Sequence, residues 1–203
     1  MDSVARIVHC LRHAGVDVVG SETRSDHELK DVIGLGLKEA IEQLHPQQDE
    51  RQINAMIEAY KSHFFTTDPA DSPLFDGVEE MLQALEDMGY WLAVATGKGR
   101  PGLDQVLQET GMQKRFHTTR CASETFSKPH PLMLEEILQQ TGLEASDALM
   151  IGDTEYDLQM ASNAGMDSLA VSYGVHTYER LALHNPLQCL HSIAELSHYL
   201  KNL

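Results

Sequence analysis

Through the first stretch of the chain the apolar residues return at helical spacing: Val4, Ile7, Val8 and Leu11, then Leu29, Val32 and Ile33, then Leu37, Ile41 and Leu44, then Ile53, Met56, Ile57, Tyr60 and Phe64. Such spacing lays apolar side chains along one face of a helix, so Ser3 to about Phe65 is expected to form helices packed on one another, with no strand among them. Ser25 followed by Glu28 predicts a capping-box start, and Gly34 and Pro46 mark breaks between helices. The segment TTDPADSPLFDG, Thr66 to Gly77, is rich in Pro, Asp, Ser and Thr and predicts a connector or hinge.

Beyond it the pattern changes. Asp76 with Glu79 predicts a capped helix carrying Val78, Met81, Leu82, Leu85 and Met88 on one face and ending at Gly89. Tyr90 to Thr96 (YWLAVAT) is an apolar run of strand length, followed by GKGRPG and a helix with Leu103, Val106 and Leu107 that stops near Gly111. Phe116 to Ala122 predicts a weaker strand, SKPHP a turn, Leu132 to Gln140 a helix ending near Gly142, Ala148 to Asp153 (ALMIGD) a strand, then a helix to Gly165 and a strand in SLAVSYG. Strands that alternate with helices and are apolar on both faces predict an α/β fold: a parallel sheet covered by helices on each side. The predicted organisation is a helical domain over residues 1–70 and an α/β domain over residues 71–203.

Composition narrows the function classes. A chain of 203 residues with 42% hydrophobic residues can bury a core, and no uninterrupted apolar run is long enough to span a bilayer. The N-terminal MDSVARIVHCLRHAG is too polar for a signal peptide, so a cytoplasmic protein without membrane partners is expected. A net charge of −16 with no offsetting Lys/Arg-rich stretch argues against nucleic acid as a partner. Cys10, Cys121 and Cys189 lack C-x-x-C spacing and read as buried thiols; His9 and His13 form an i, i+4 pair, but no H-E-x-x-H pattern accompanies them.

Candidate chemistry collects at strand ends, where parallel sheets bind ligands: Thr96, the turn before Lys128, and Asp153 all lie there. Thr96 offers a hydroxyl, and Gly97 an amide, where the next helix is expected to begin; the pair suits a bound phosphate or a plain helix cap. Lys128 sits in SKPHP, where Pro129 and Pro131 stiffen the turn, and reads either as an aimed ammonium or as a solvated surface lysine. GDTEYD brings Asp153, Glu155 and Asp157 together. Asp153 as helix cap, with two acids in the first turn, would satisfy the helix dipole; a bound cation would account for the same charge, with Asp153 and Asp157 sharing one face.

The order Thr in VATGK, Lys in SKPHP, then GDTEYD before a helix resembles the second, third and fourth motifs of the haloacid dehalogenase superfamily of aspartate-nucleophile hydrolases. The preceding helical half resembles the four-helix cap inserted after the first strand of that family's core, as in phosphoglycolate phosphatases. The resemblance covers essentially the whole chain and implies a Rossmann-like parallel sheet core under a helical cap domain. It implies Asp153 as the Mg²⁺-binding carboxylate with Asp157 supporting it, Thr96 and Gly97 as the phosphate-binding pair, and Lys128 as the lysine that pairs with phosphate and nucleophile. Thr96 and Lys128 are thereby the implied catalytic residues, and the implied activity is Mg²⁺-dependent hydrolysis of a small phosphorylated metabolite, phosphoglycolate-like, through an aspartyl-phosphate. A phosphomutase shares the same core. A dehalogenase fits less well, because the family's dehalogenases need no metal and GDTEYD resembles the metal-binding version.

The family's first motif, Asp-x-Asp-Gly-Thr at the end of the first strand, has no match here, and MDS at Met1 to Ser3 resembles the segment directly after it. The resemblance therefore implies a chain that begins a few residues late, through a misplaced start or a shortened chain, or else a natural loss that leaves a noncatalytic binding or regulatory protein. The first explanation is preferred because Lys128, Asp153 and Asp157 stand together. The implied consequences are a missing central strand between the strand ending at Thr96 and that ending at Asp153, inactivity, and weak Mg²⁺ binding. The two flanking strands are expected to draw together or to be covered by another chain through self-association. The cap is expected to move about the connector, and IGLGL, with Gly34 and Gly36, reads as a cap loop facing the site or as a plain helix break.

Overall fold

The computed structural model describes residues 1–66 and 72–203. Four helices open the chain: α1 (Val4–Val19), α2 (Asp26–Asp31), α3 (Leu37–Leu44) and α4 (Glu50–Thr66). The stripes predicted by the spacing meet in one cluster, with Val8 and Leu11 of α1, Leu29 of α2, Ile41 and Leu44 of α3, and Ile53 and Met56 of α4 all buried. Local chemistry fixes the helix starts. The Ser25 hydroxyl accepts the Glu28 N–H at 3.3 Å while the Glu28 carboxylate accepts the Ser25 N–H at 2.8 Å. Asp49 and Gln52 exchange the same pair of bonds ahead of α4. Residues 67–71 of the expected connector lie outside the described residues, and so does the expected boundary between residues 70 and 71; residues 72–77 form neither helix nor strand.

The remaining elements are α5 (Val78–Asp87), β1 (Ala93–Thr96), α6 (Arg100–Glu109), β2 (Thr118–Cys121), α7 (Leu132–Thr141), a 3₁₀ turn (Ala145–Asp147), β3 (Leu149–Gly152), α8 (Glu155–Asn163), β4 (Asp167–Val171), α9 (Tyr178–Ala182), β5 (Gln188–Leu190) and α10 (Ile193–Leu200). Three local expectations change. Asp76 is not the cap of α5: Gly77 precedes the helix in the left-handed region (φ 81°) and no side chain caps it. The first strand starts at Ala93 and not at Tyr90, because the Tyr90 N–H turns back to the Leu85 carbonyl (3.0 Å) to close the end of α5. Beyond SLAVSYG the sequence pattern placed nothing, yet α9, β5 and α10 follow; Ser192 caps α10, which packs on α5 through Met81, Leu85, Leu196 and Leu200.

All strand pairs are parallel, as the alternation predicts, but the described residues form two sheets where one is expected: β1 with β2, and β3–β4–β5. No backbone hydrogen bond among the described residues joins β1 to β3, so the expected drawing together of these strands does not occur. Helices hold the sheets in place instead. Met133 and Ile137 of α7 and Met160 of α8 form one buried cluster that packs on Ala95 of β1 and Met150 of β3. Cys10 and Cys121 are buried cysteines and Cys189 is half-buried.

Candidate active site

The carboxyl ends of β1 and β3 and the turn before α7 open on a cavity of ≈ 660 Å³, whose wall includes Thr96, Gly97, Lys128, Asp153 and Asp157. All five residues singled out by sequence therefore converge, and their local bonds sort their roles. Lys128 is buried, not a solvated surface lysine, and its ammonium donates to Asp157 Oδ1 at 2.5 Å. The other oxygen of Asp157 accepts from the Thr154 N–H at 3.1 Å and the Thr154 hydroxyl at 2.7 Å. Thr154 in turn caps α8 by accepting the Asp157 N–H at 3.3 Å. The capping box is thus Thr154 with Asp157, and Asp153 is not the cap.

Asp153 stands one residue ahead of that cap, half-buried, with Oδ2 accepting the Val175 N–H at 3.0 Å. Gly174 makes this possible: a Cβ there would lie 2.1 Å from the same oxygen. Burial, and after it the Asp157 carboxylate, pushes the Asp153 carboxyl above its ordinary range, so the position carries a charge the protein alone balances poorly. Asp153 and Asp157 differ in how their oxygens are engaged. Both oxygens of Asp157 are engaged by Lys128 and Thr154, whereas Asp153 Oδ2 carries one amide bond. Among the described residues no group of three His, Cys, Asp or Glu side chains is placed to hold a metal. The donor chemistry nevertheless fits Mg²⁺, which takes few carboxylates and fills its remaining positions with water and phosphate oxygens.

Thr96 accepts the Lys98 N–H on its hydroxyl at 3.2 Å. It does not cap a helix, because α6 begins at Arg100 behind Gly99, and the Gly97 amide lies in the loop, ahead of the helix start. The loop from the helical part comes down onto it: a Cβ on Gly97 would sit 2.3 Å from the Leu35 carbonyl oxygen, and the Gly36 N–H donates to the Ser127 hydroxyl at 2.7 Å. IGLGL is therefore a loop facing the site. Gly34 (φ 112°) packs on Thr154 and Tyr156.

Several contributors carried no sequence signal that the reading used. Lys98 also lines the cavity, visible in the sequence only as the third residue of TGK. Val175 belongs to the loop after β4 and holds Asp153 from across the fold. Arg180 of α9 binds Asp31 of α2 and, at 2.6 Å, Glu155 of α8, tying the helical part to the α/β part; the Tyr156 hydroxyl adds a bond to the Asp31 carbonyl at 2.9 Å.

The family model for haloacid dehalogenase-like hydrolases matches residues 1–171. A protein described as probable phosphatase IndB, from Dickeya dadantii, is 33% identical over 173 residues, which take in 83% of this chain and 75% of that protein. A phosphoglycolate phosphatase of Vibrio parahaemolyticus is 31% identical over 127 residues, 62% of this chain and 55% of that protein, so the match spans about half of that relative's length. The crystal structure of a predicted phosphatase from Clostridium acetobutylicum superposes with a TM-score of 0.88 at 24% identity, over 100% of this chain and 93% of that one; likeness at this identity speaks for the fold.

Proposed function

Because the chain belongs to the haloacid dehalogenase-like hydrolases, whose family model spans residues 1–171, we propose that it is a phosphatase of small phosphorylated metabolites, phosphoglycolate-like compounds foremost. The observation that carries this reading is the buried Lys128–Asp157 pair, set in one cavity wall with Thr96, Gly97 and Asp153. Lys128 places a positive charge where phosphoryl oxygens would sit, and the Thr96 hydroxyl and Gly97 N–H supply donors beside it. Asp157 and Thr154 hold the ammonium in position. Asp153 is the carboxylate that would hold Mg²⁺, and the ion would supply charge neutralisation on the phosphoryl group. Helices of residues 1–66 act as a cap that closes water out, with the loop at Gly34–Gly36 as its inner face.

The attacking carboxylate is neither Asp157, whose oxygens are both engaged, nor Asp153, which is reserved for the metal. We place it on a strand that would run between β1 and β3, each of which has one edge without a hydrogen-bonded strand neighbour among the described residues. Attack of its oxygen on phosphorus would break the ester P–O bond, the departing oxygen leaving with a proton as the alcohol, and form an aspartyl-phosphate, which water would hydrolyse to inorganic phosphate and the free carboxylate. The test is a screen of phosphoglycolate, sugar phosphates and nucleoside monophosphates with and without Mg²⁺. It uses the 203-residue chain and a form preceded by a strand ending in Asp-x-Asp. Mg²⁺-dependent release of phosphate by the longer form alone is expected. Equal turnover by both would misplace the nucleophile, and an inactive longer form would favour a binding protein on the same scaffold.

A further inference from the structure

Among the described residues, Lys38, Lys61, Lys98 and Lys128 line the cavity. Three of them face carboxylates: Lys38 lies 3.7 Å from Glu42, Lys61 2.6 Å from Glu58, and Lys128 2.5 Å from Asp157. Lys98 faces none. Its ammonium lies over the Phe64 ring, 5.0 Å from the centroid, and the Arg6 guanidinium covers the same ring at 4.1 Å while donating to the Phe64 carbonyl at 2.5 Å. The ring thus holds a second positive charge close to the first. Burial, followed by repulsion from Arg6, lowers the Lys98 ammonium to about 8.

The position of Lys98 is fixed from the site side as well. Its backbone N–H donates to the Thr96 hydroxyl, and its charge, like that of Asp153, acts on the Met1 amino group. In a protein of net charge −16, a half-buried ammonium that forms no ion pair among the described residues is poorly compensated, and an anion brought in by a ligand would compensate it. One ammonium balances one negative charge. A carboxylate therefore fits it, whereas a dianionic phosphoryl group would leave charge unneutralised in a partly desolvated place.

We propose that Lys98 is a specificity-determining residue that receives a carboxylate at the far end of the substrate, so that the protein selects short phosphorylated acids over uncharged phosphate esters. This rests on the phosphatase reading for the location of the phosphoryl group. Lys98 then reads the acid end while Lys128, Thr96 and Gly97 hold the phosphoryl end.

Calorimetric titration of the full chain in Mg²⁺ with three non-hydrolysable ligands tests it: propylphosphonate, 3-phosphonopropionate and propane-1,3-diphosphonate. 3-Phosphonopropionate is expected to bind about tenfold or more tighter than propylphosphonate, the size of one hydrogen bond to a charged group. Lys98→Met should collapse that ratio to near unity and Lys98→Arg should keep most of it, with thermal unfolding recorded for each variant. Equal affinities in the unsubstituted protein, a ratio that survives Lys98→Met, or tightest binding of the diphosphonate would each overturn the inference. Propylphosphonate binding without preference for the acid sinks this inference and leaves the phosphatase reading intact. Failure of all three ligands to bind sinks both.

Discussion

At the scale of single residues, the stakes are highest at Lys128 and Asp157, because both are buried and each is the other's counter-charge. Removing one partner leaves an uncompensated buried charge, so Lys128→Ala is expected to cost about 3–5 kcal/mol of stability in urea unfolding. The double variant Lys128→Met/Asp157→Asn should recover much of that loss; a double variant no more stable than the single one would show that the pair does not act as a unit. Gly97→Ala is a second test, since its Cβ would press on the Leu35 carbonyl; faster amide exchange over residues 33–37 is expected. That Thr96, Gly97, Lys128, Asp153 and Asp157 share one cavity wall was legible because each follows a strand or turn signal that a sequence displays. Which carboxylate does what was not, because Asp153 and Thr154 are adjacent and both able to cap. The choice is made by Val175 and Gly174, which hold Asp153 off the helix from a distant loop.

Between elements, Arg180 is a polar tie across the two parts of the molecule, binding Asp31 of α2 and Glu155 of α8. The Arg180 hydrogen bond holds the Glu155 carboxyl down at about 2. A folded pKa below the unfolded value near 4.3 adds stability that is present above that value and is lost as pH falls from about 4.5 towards 2. Glu155→Gln is therefore expected to lower stability at neutral pH by on the order of 2 kcal/mol and to flatten the acid limb in that window. An unchanged acid limb would show that the bond is not maintained in solution. Arg180→Ala should raise amide exchange in α2, as the helical part loosens. Helix signals were the most readable of the element-scale features: the Ser25–Glu28 box and the apolar stripes of α1 to α4 stand where the sequence puts them. Short elements escaped. β5 spans three residues, too few to show a period, and Tyr90 reads as strand until its N–H is seen to serve the end of α5.

For the whole molecule, the parallel order of strands was readable from their alternation with helices, whereas the division into two sheets was not, since each strand in isolation reads the same with or without a neighbour. The α7 and α8 cluster packs on both β1 and β3, and each of these strands has one edge unpaired among the described residues, leaving backbone donors and acceptors that another strand would satisfy. The 203-residue chain is therefore expected to associate as its concentration rises, and a form carrying a further strand ahead of Met1 is expected to melt at higher temperature and to stay dispersed. Light scattering and thermal unfolding of the two forms check this, and indistinguishable behaviour would contradict it. The most direct test of the proposed phosphate-and-metal site is calorimetric titration of inorganic phosphate into the protein with and without Mg²⁺, repeated on Asp153→Asn. We expect Mg²⁺ to tighten phosphate binding about tenfold or more and Asp153→Asn to abolish that gain. Phosphate binding that is the same with and without Mg²⁺, or a gain that persists in Asp153→Asn, would contradict the assignment of the site.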